Sequence, residues 1–264
     1  MKTNIFHRLR FLSVMMLAVL LLPLLVSCDE HEPISHDIYD YVLCDDHSTM
    51  TLDGYTAQLV YVNGKNERLS ASDYLSLPKT DRSDYSISRD CIHAVGVVFG
   101  IEDDNHKAMA VMLQEIHDIA FADSLGMDLG TSGDVTMFDF YVNSVSMCNT
   151  VDRKTGHGSP LGQYVFASHT FGQSDFIPSY AESKLLHMRV RAVNRVISRL
   201  IELGHDGDLI STDSKDGSCW YWTSTEDKDD MANRAWLCSM ATGGFQQTPK
   251  TELHNSRVIV ELNY

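Results

Sequence analysis

The sequence predicts an α+β protein with small twisted antiparallel sheets, one main helix and long loops. Three stretches carry that expectation. Cys219 to Val260 reads as three strands rich in aromatic and β-branched residues, Cys-Trp-Tyr-Trp-Thr-Ser-Thr-Glu, Arg-Ala-Trp-Leu-Cys-Ser-Met and Arg-Val-Ile-Val-Glu-Leu, with polar turns between them. Ala94 to Gly100 is apolar at nearly every position, as a strand buried on both faces should be. Ser179-Tyr180-Ala181-Glu182 is a capping box, followed by a stripe of Leu186, Val190, Val193, Ile197, Leu200 and Ile201 at helical spacing.

Taken in order, Met1 to Arg10 is basic, and Phe11 to Val26 is an apolar run broken only by Ser13 and Pro23. The run is short for a membrane span and has the layout of a secretory signal. It ends Leu25-Val26-Ser27-Cys28, which resembles a lipobox and implies cleavage before Cys28 and lipid on that cysteine. Asp29-Glu30-His31-Glu32-Pro33 is too acidic to pack and reads as a solvated tether. The expected organisation is a signal over 1–27, a tether over 28–39 and a folded domain over 40–264, of which 40–125 is a candidate N-terminal subdomain.

Within the body, Asp40 to Cys44 and Gln58 to Val62 read as strands, with turns at Asp53-Gly54 and Asn63-Gly64. Lys65 to Asp90 is polar and reads as loop. Ala94 to Gly100 and Ala108 to Leu113 form a central hairpin. Ile116 to Leu125 reads as a short helix, Gly126 to Asp134 as loop, and Asp139 to Thr150 shows no pattern that assigns it. Thr155 to Pro160 is a flexible loop; its proline argues against a phosphate cradle leading into a helix. The capped helix runs to about Leu203, where Gly204 ends it, with Arg189, Arg191, Arg195 and Arg199 on its solvated side. Asp206 to Lys215 crosses to the late strands. There Trp220, Trp222 and Trp236 are structural, because an indole buries a large area and fixes a local core. Ser179 and Glu182 are structural as the helix cap.

The 264-residue chain carries a net charge of −15, which disfavours nucleic acid as a partner. Beyond Cys28 five cysteines remain, Cys44, Cys91, Cys148, Cys219 and Cys238, an odd number with no disulfide framework in its spacing. Most read as small buried residues. No Cys-x-x-Cys, His-Glu-x-x-His or Gly-x-Ser-x-Gly occurs, and the histidines are scattered. Glu102-Asp103-Asp104 lacks the alternating oxygen ligands of a calcium loop. No catalytic set, metal or cofactor is therefore expected.

Trp222-Thr223-Ser224-Thr225-Glu226, Ala235-Trp236, Gly243-Gly244, Lys250 and Arg257-Val258 together resemble the ending of bacterial C-type-lectin-like domains, the group that includes formylglycine-generating-enzyme-like and legionella-collagen-like C-terminal domains. Upstream, Phe176-Ile177-Pro178-Ser179-Tyr180-Ala181-Glu182 and Asn149-Thr150 followed by Asp152 resemble elements of the same family, and Ala94-Val95-Gly96-Val97-Val98-Phe99 resembles a strand seen in surface lipoproteins of Gram-negative anaerobes. The resemblance spans roughly Tyr41 to Tyr264. It implies a C-type-lectin-like fold, outer-membrane attachment facing the cell exterior, and ligand binding through loops. The calcium-dependent sugar motifs are not matched: the prolines read Ile-Pro-Ser and Thr-Pro-Lys, and Trp236 is followed by Leu-Cys. Cys219 and Cys238 do not match the cysteine pair of the group's oxidase.

The expected function is thus a lipid-anchored, non-catalytic surface protein whose partner is a glycan or another protein. Its candidate contacts are Glu226, Asp229, Asn233 and Arg234 in one loop, with Phe245, Gln246, Lys250 and Asn255 in the next. Two alternatives stand beside it: an enzyme of the same group with a thiol or metal site, and an accessory or tip subunit of a surface assembly.

Overall fold

The computed structural model describes residues 40–102, 107–168, 175–215 and 217–263. The expected signal and tether, with Cys28, lie outside these residues, as does most of the Glu102-Asp103-Asp104 turn. The described chain is α+β. Its strands are β1 (Tyr41–Cys44), β2 (Thr49–Thr51), β3 (Val60–Asn63), β4 (Arg68–Ser70), β5 (Tyr85–Ile87), β6 (Ala94–Glu102), β7 (Lys107–Ala120), β8 (Asp175–Phe176), β9 (Trp220–Glu226), β10 (Arg234–Ser239), β11 (Phe245–Pro249) and β12 (Leu253–Asn263). Its helices are α1 (Leu52–Gln58), α2 (Ala71–Ser76), α3 (Lys79–Arg82), α4 (Phe140–Asn149), α5 (Pro160–Ala167) and α6 (Tyr180–Glu202).

A nine-stranded sheet runs β11-β10-β9-β12-β7-β6-β1-β2, with β8 also pairing to β12; a three-stranded sheet runs β4-β3-β5. The pairings are antiparallel except for a single parallel contact, Asn255 with Tyr221, where β12 meets β9. That contact joins the early strands to the late tryptophan strands. The expected central hairpin is β6 against β7, with Val97 opposite Val111. The helical stripe of α6 packs on it, burying Leu186, Val190, Val193, Ile197 and Leu200 beside Val97, Phe99 and Val111.

The helix cap forms as the sequence dictates. Ser179 Oγ accepts from Ala181 N–H, and Ser179 N–H donates to Glu182 Oε2. At the other end Gly204 takes φ +93°, a conformation that side chains disfavour. Arg195 and Arg199 pair with Asp40 and Glu202 on the solvated side.

Four expectations are corrected. Ile116 to Ala120 is not helix but the end of β7, because Ile116, Ile119 and Ala120 pair with Ser256, His254 and Leu253 of β12. Asp53-Gly54 lies inside α1, whose cap Thr51 accepts from Gly54 N–H. Lys65 to Asp90 holds β4, α2, α3 and β5; Tyr61 stacks on Tyr74 at 3.8 Å, and the Tyr61 hydroxyl donates to Leu203 O at 2.6 Å, tying this segment to the end of α6. Pro160 starts α5 rather than breaking a loop: Ser159 caps it, accepting from Gly162 N–H and donating to Phe121 O. A Cβ on Gly162 would lie 2.9 Å from Met147, so this glycine lets α5 approach α4.

Candidate functional site

The loop region expected to face ligand is built on a buried ion pair. Lys250 and Glu226 are fully buried and bonded to each other, so neither stands on a ligand-facing surface. Glu226 Oε1 also accepts from Leu129 N–H at 2.8 Å. Its Oε2 accepts from Thr131 N–H and Thr131 Oγ1, both at 2.9 Å. Lys250 Nζ donates to Met127 O and lies 5.6 Å from the Phe121 ring centre. Burial lowers the Lys250 ammonium below its usual range, while the Glu226 carboxylate opposes that shift. The pair thus clamps the loop at 127–131 against the late strands. Asn233 does similar work: its Oδ1 accepts from Gly126 N–H, and its Nδ2 donates to Asp230.

Around this knot the remaining candidates divide by exposure. Asp229, Arg234 and Gln246 are exposed. Phe245 is half-buried and stacks on Tyr180 at 3.5 Å, and Tyr180 meets Trp236 edge-on at 5.5 Å. Trp222 is wholly buried, its indole N–H donating to Ile119 O, and Trp220 packs against the same core.

Asn255 belongs to a second arrangement. It lines an open cleft of about 470 Å³ with His117, Asp118, Ser218, Trp220 and His254. Behind the cleft lies a buried pair, Arg257 and Glu115, 2.9 Å apart. Glu115 Oε1 accepts from Asn255 Nδ2 and lies 3.4 Å from His117 Nδ1; its Oε2 accepts from the Tyr221 hydroxyl at 2.8 Å. Arg257 donates onward to the carbonyls of Leu113 and Asp208. Burial raises the Glu115 carboxyl, with Arg257 and Tyr221 pulling it back. The Asn255 side chain is therefore oriented from behind by a buried charged network, with His117 beside it.

Sequence reasoning named Asn255 but missed His117, Asp118 and Trp220 as its neighbours. They come from β7 and the start of β9, and no local spacing joins them to Asn255 on β12. Asp118 takes φ +48°, a conformation that Asp tolerates better than most residues.

The five described cysteines are free thiols. Burial pushes Cys44 up to about 11 and Cys238 up to about 12, which leaves both protonated and weakly nucleophilic at neutral pH. Among the described residues, no three His, Cys, Asp or Glu side chains gather closely enough to hold a metal ion. None of the described helices is long and apolar enough to cross a membrane. No protein-family model matches the chain, and no curated protein matches it either.

Proposed function

We propose that the chain is a non-catalytic ligand-binding protein on a C-type-lectin-like scaffold, held at the outer face of the cell by lipid on Cys28. The observation that carries the binding role is the cleft, where Asn255 is fixed by the Glu115–Arg257 pair beside His117 and Trp220. Preorganised polar groups next to an aromatic surface lose little freedom when a ligand arrives. The clamped loops add exposed Asp229, Arg234 and Gln246 nearby in sequence. The ligand is a glycan or a protein presenting polar groups. The scaffold reading rests on the order of the Trp222–Glu226, Ala235-Trp236 and Lys250 motifs, and on the structural use the fold makes of Glu226 and Lys250.

The test is a glycan and protein array probed with the full chain in a detergent without a sugar headgroup, with and without chelator. Saturable, chelator-indifferent binding is expected, weakened at least tenfold by Asp118→Ala or Trp220→Leu. Silence on both arrays would sink the binding role. Binding that survives both substitutions would move it from the cleft to the loop surface.

A further inference from the structure

Helix α4 is apolar on both of its faces. Its buried side carries Phe140, Asn143, Ser144 and Met147, while Tyr141, Val142 and Val145 face outward, 53 %, 56 % and 39 % exposed. Met137 and Phe138 before the helix extend this face, as does Phe166 on α5; they are 51 %, 57 % and 58 % exposed. A cleft of about 290 Å³, lined by Tyr141, Val145, Val165, Phe166 and Phe176, opens within it. Scattered apolar residues are ordinary on a surface, but a grouped face marks an interaction site. Half-exposed side chains of this size offer on the order of 100 Å² each, so the face presents roughly 500–600 Å². With a polar rim, that approaches the ~800 Å² per partner of a standard interface.

The charges around the face indicate what covers it. Helix α4, Phe-Tyr-Val-Asn-Ser-Val-Ser-Met-Cys-Asn, carries no charged residue. Acidic Asp134 and Asp139 precede it, and exposed Arg153 and Lys154 follow it. Hydrogen bonds from the hydroxyl and backbone N–H of Thr136 lower the Asp134 carboxyl, and Lys228 beside it offsets part of its charge, so Asp139 carries much of the acidic end. Asp152 lies beside the basic pair and, like Asp134, accepts from N–H groups of its own turn, so that end of the face keeps a net charge of about +1. If a second copy is related by a two-fold axis with the helices antiparallel, the acidic end of each α4 meets the basic end of the other. The helix dipoles also oppose favourably. A parallel arrangement would bring like charges together.

We propose that the outward face of α4 and α5 is a two-fold interface between two copies of this chain, with Tyr141, Val142 and Val145 at its centre. This is independent of the ligand cleft, which uses other residues.

The test uses the full chain in its own membranes. Val142→Cys, close to the proposed axis, is expected to give a disulfide-linked band of twice the chain mass under mild oxidation. The unsubstituted chain and Asp229→Cys serve as controls. Adding Tyr141→Glu should reduce that band at least fivefold without lowering protein levels. In the Val142→Cys background, a copy also bearing Arg153→Glu and Lys154→Glu should not cross-link with itself. Co-expressed with a Val142→Cys copy bearing Asp134→Lys and Asp139→Lys, it should cross-link again, because both charge pairs are then restored. If Tyr141→Glu fails to fold, the charge-swapped copies decide. Cross-linking no stronger than from Asp229→Cys would overturn the proposal. So would a linked band of any other mass, which would assign the face to a different protein, or no recovery on co-expression.

Discussion

At the residue scale, the fold depends on charges placed in its interior. Removing one partner of a buried, hydrogen-bonded pair leaves the other uncompensated, at a cost of about 3–5 kcal/mol. Lys250→Met should therefore lower stability by that order, because Glu226 keeps the donors from Leu129 and Thr131 but loses its counter-charge. The double variant Glu226→Gln with Lys250→Met should recover part of the loss. Urea midpoints of the three chains check this, and an unchanged midpoint for Lys250→Met would count against the clamp. The sequence placed both residues on the ligand surface for an understandable reason: a lysine in a polar turn is almost always solvated. The groups that bury it come from Phe121 to Thr131, more than a hundred positions away. The cleft was hidden the same way, since Asn255 meets His117 only through the pairing of β12 with β7.

At the element scale, legibility followed locality. Helix α6 could be read because its cap, its apolar stripe and its closing glycine are all written within the helix and its edges. Ser179→Ala should accordingly cost about 1 kcal/mol, the usual worth of an N-cap side chain. It should also loosen the start of α4, because Ser179 Oγ donates to Met137 O. Hydrogen exchange around 137–140 would register that loosening, and an effect confined to α6 would refute the link. Helix α4 shows no periodicity in the sequence because its outward face is as apolar as its inward one. The end of β7 reads as helix in the sequence because the strand it pairs with, β12, lies at the far end of the chain.

At the scale of the whole molecule, the two ends of α6 set opposing responses to pH. Burial raises Glu182, at the start of the helix, from 4.5 to about 7, and its Oε1 finds no hydrogen-bond partner among the described residues. Burial, and then His93, lower His205, just beyond the end, from 6.5 to about 4. The Tyr55 hydroxyl accepts from Ala94 N–H and lies 2.8 Å from His205 Nε2, an arrangement suited to a neutral ring. The folded state keeps a proton on Glu182 that the unfolded chain releases near 4.5. Its contribution is thus complete below 4.5 and disappears as pH rises through 7. His205 behaves oppositely: its contribution is complete above 6.5 and disappears as pH falls toward 4. Where the windows overlap the two slopes cancel, so the native chain conceals both. Substitution separates them. Relative to the native chain, Glu182→Gln should gain stability between pH 5 and pH 8, on the order of 2–3 kcal/mol. His205→Gln should gain relative to the native chain as pH falls from 7 to 4. Urea unfolding across that range measures both differences. Curves that stay parallel to the native one would mean that neither group is held in its buried, uncharged form.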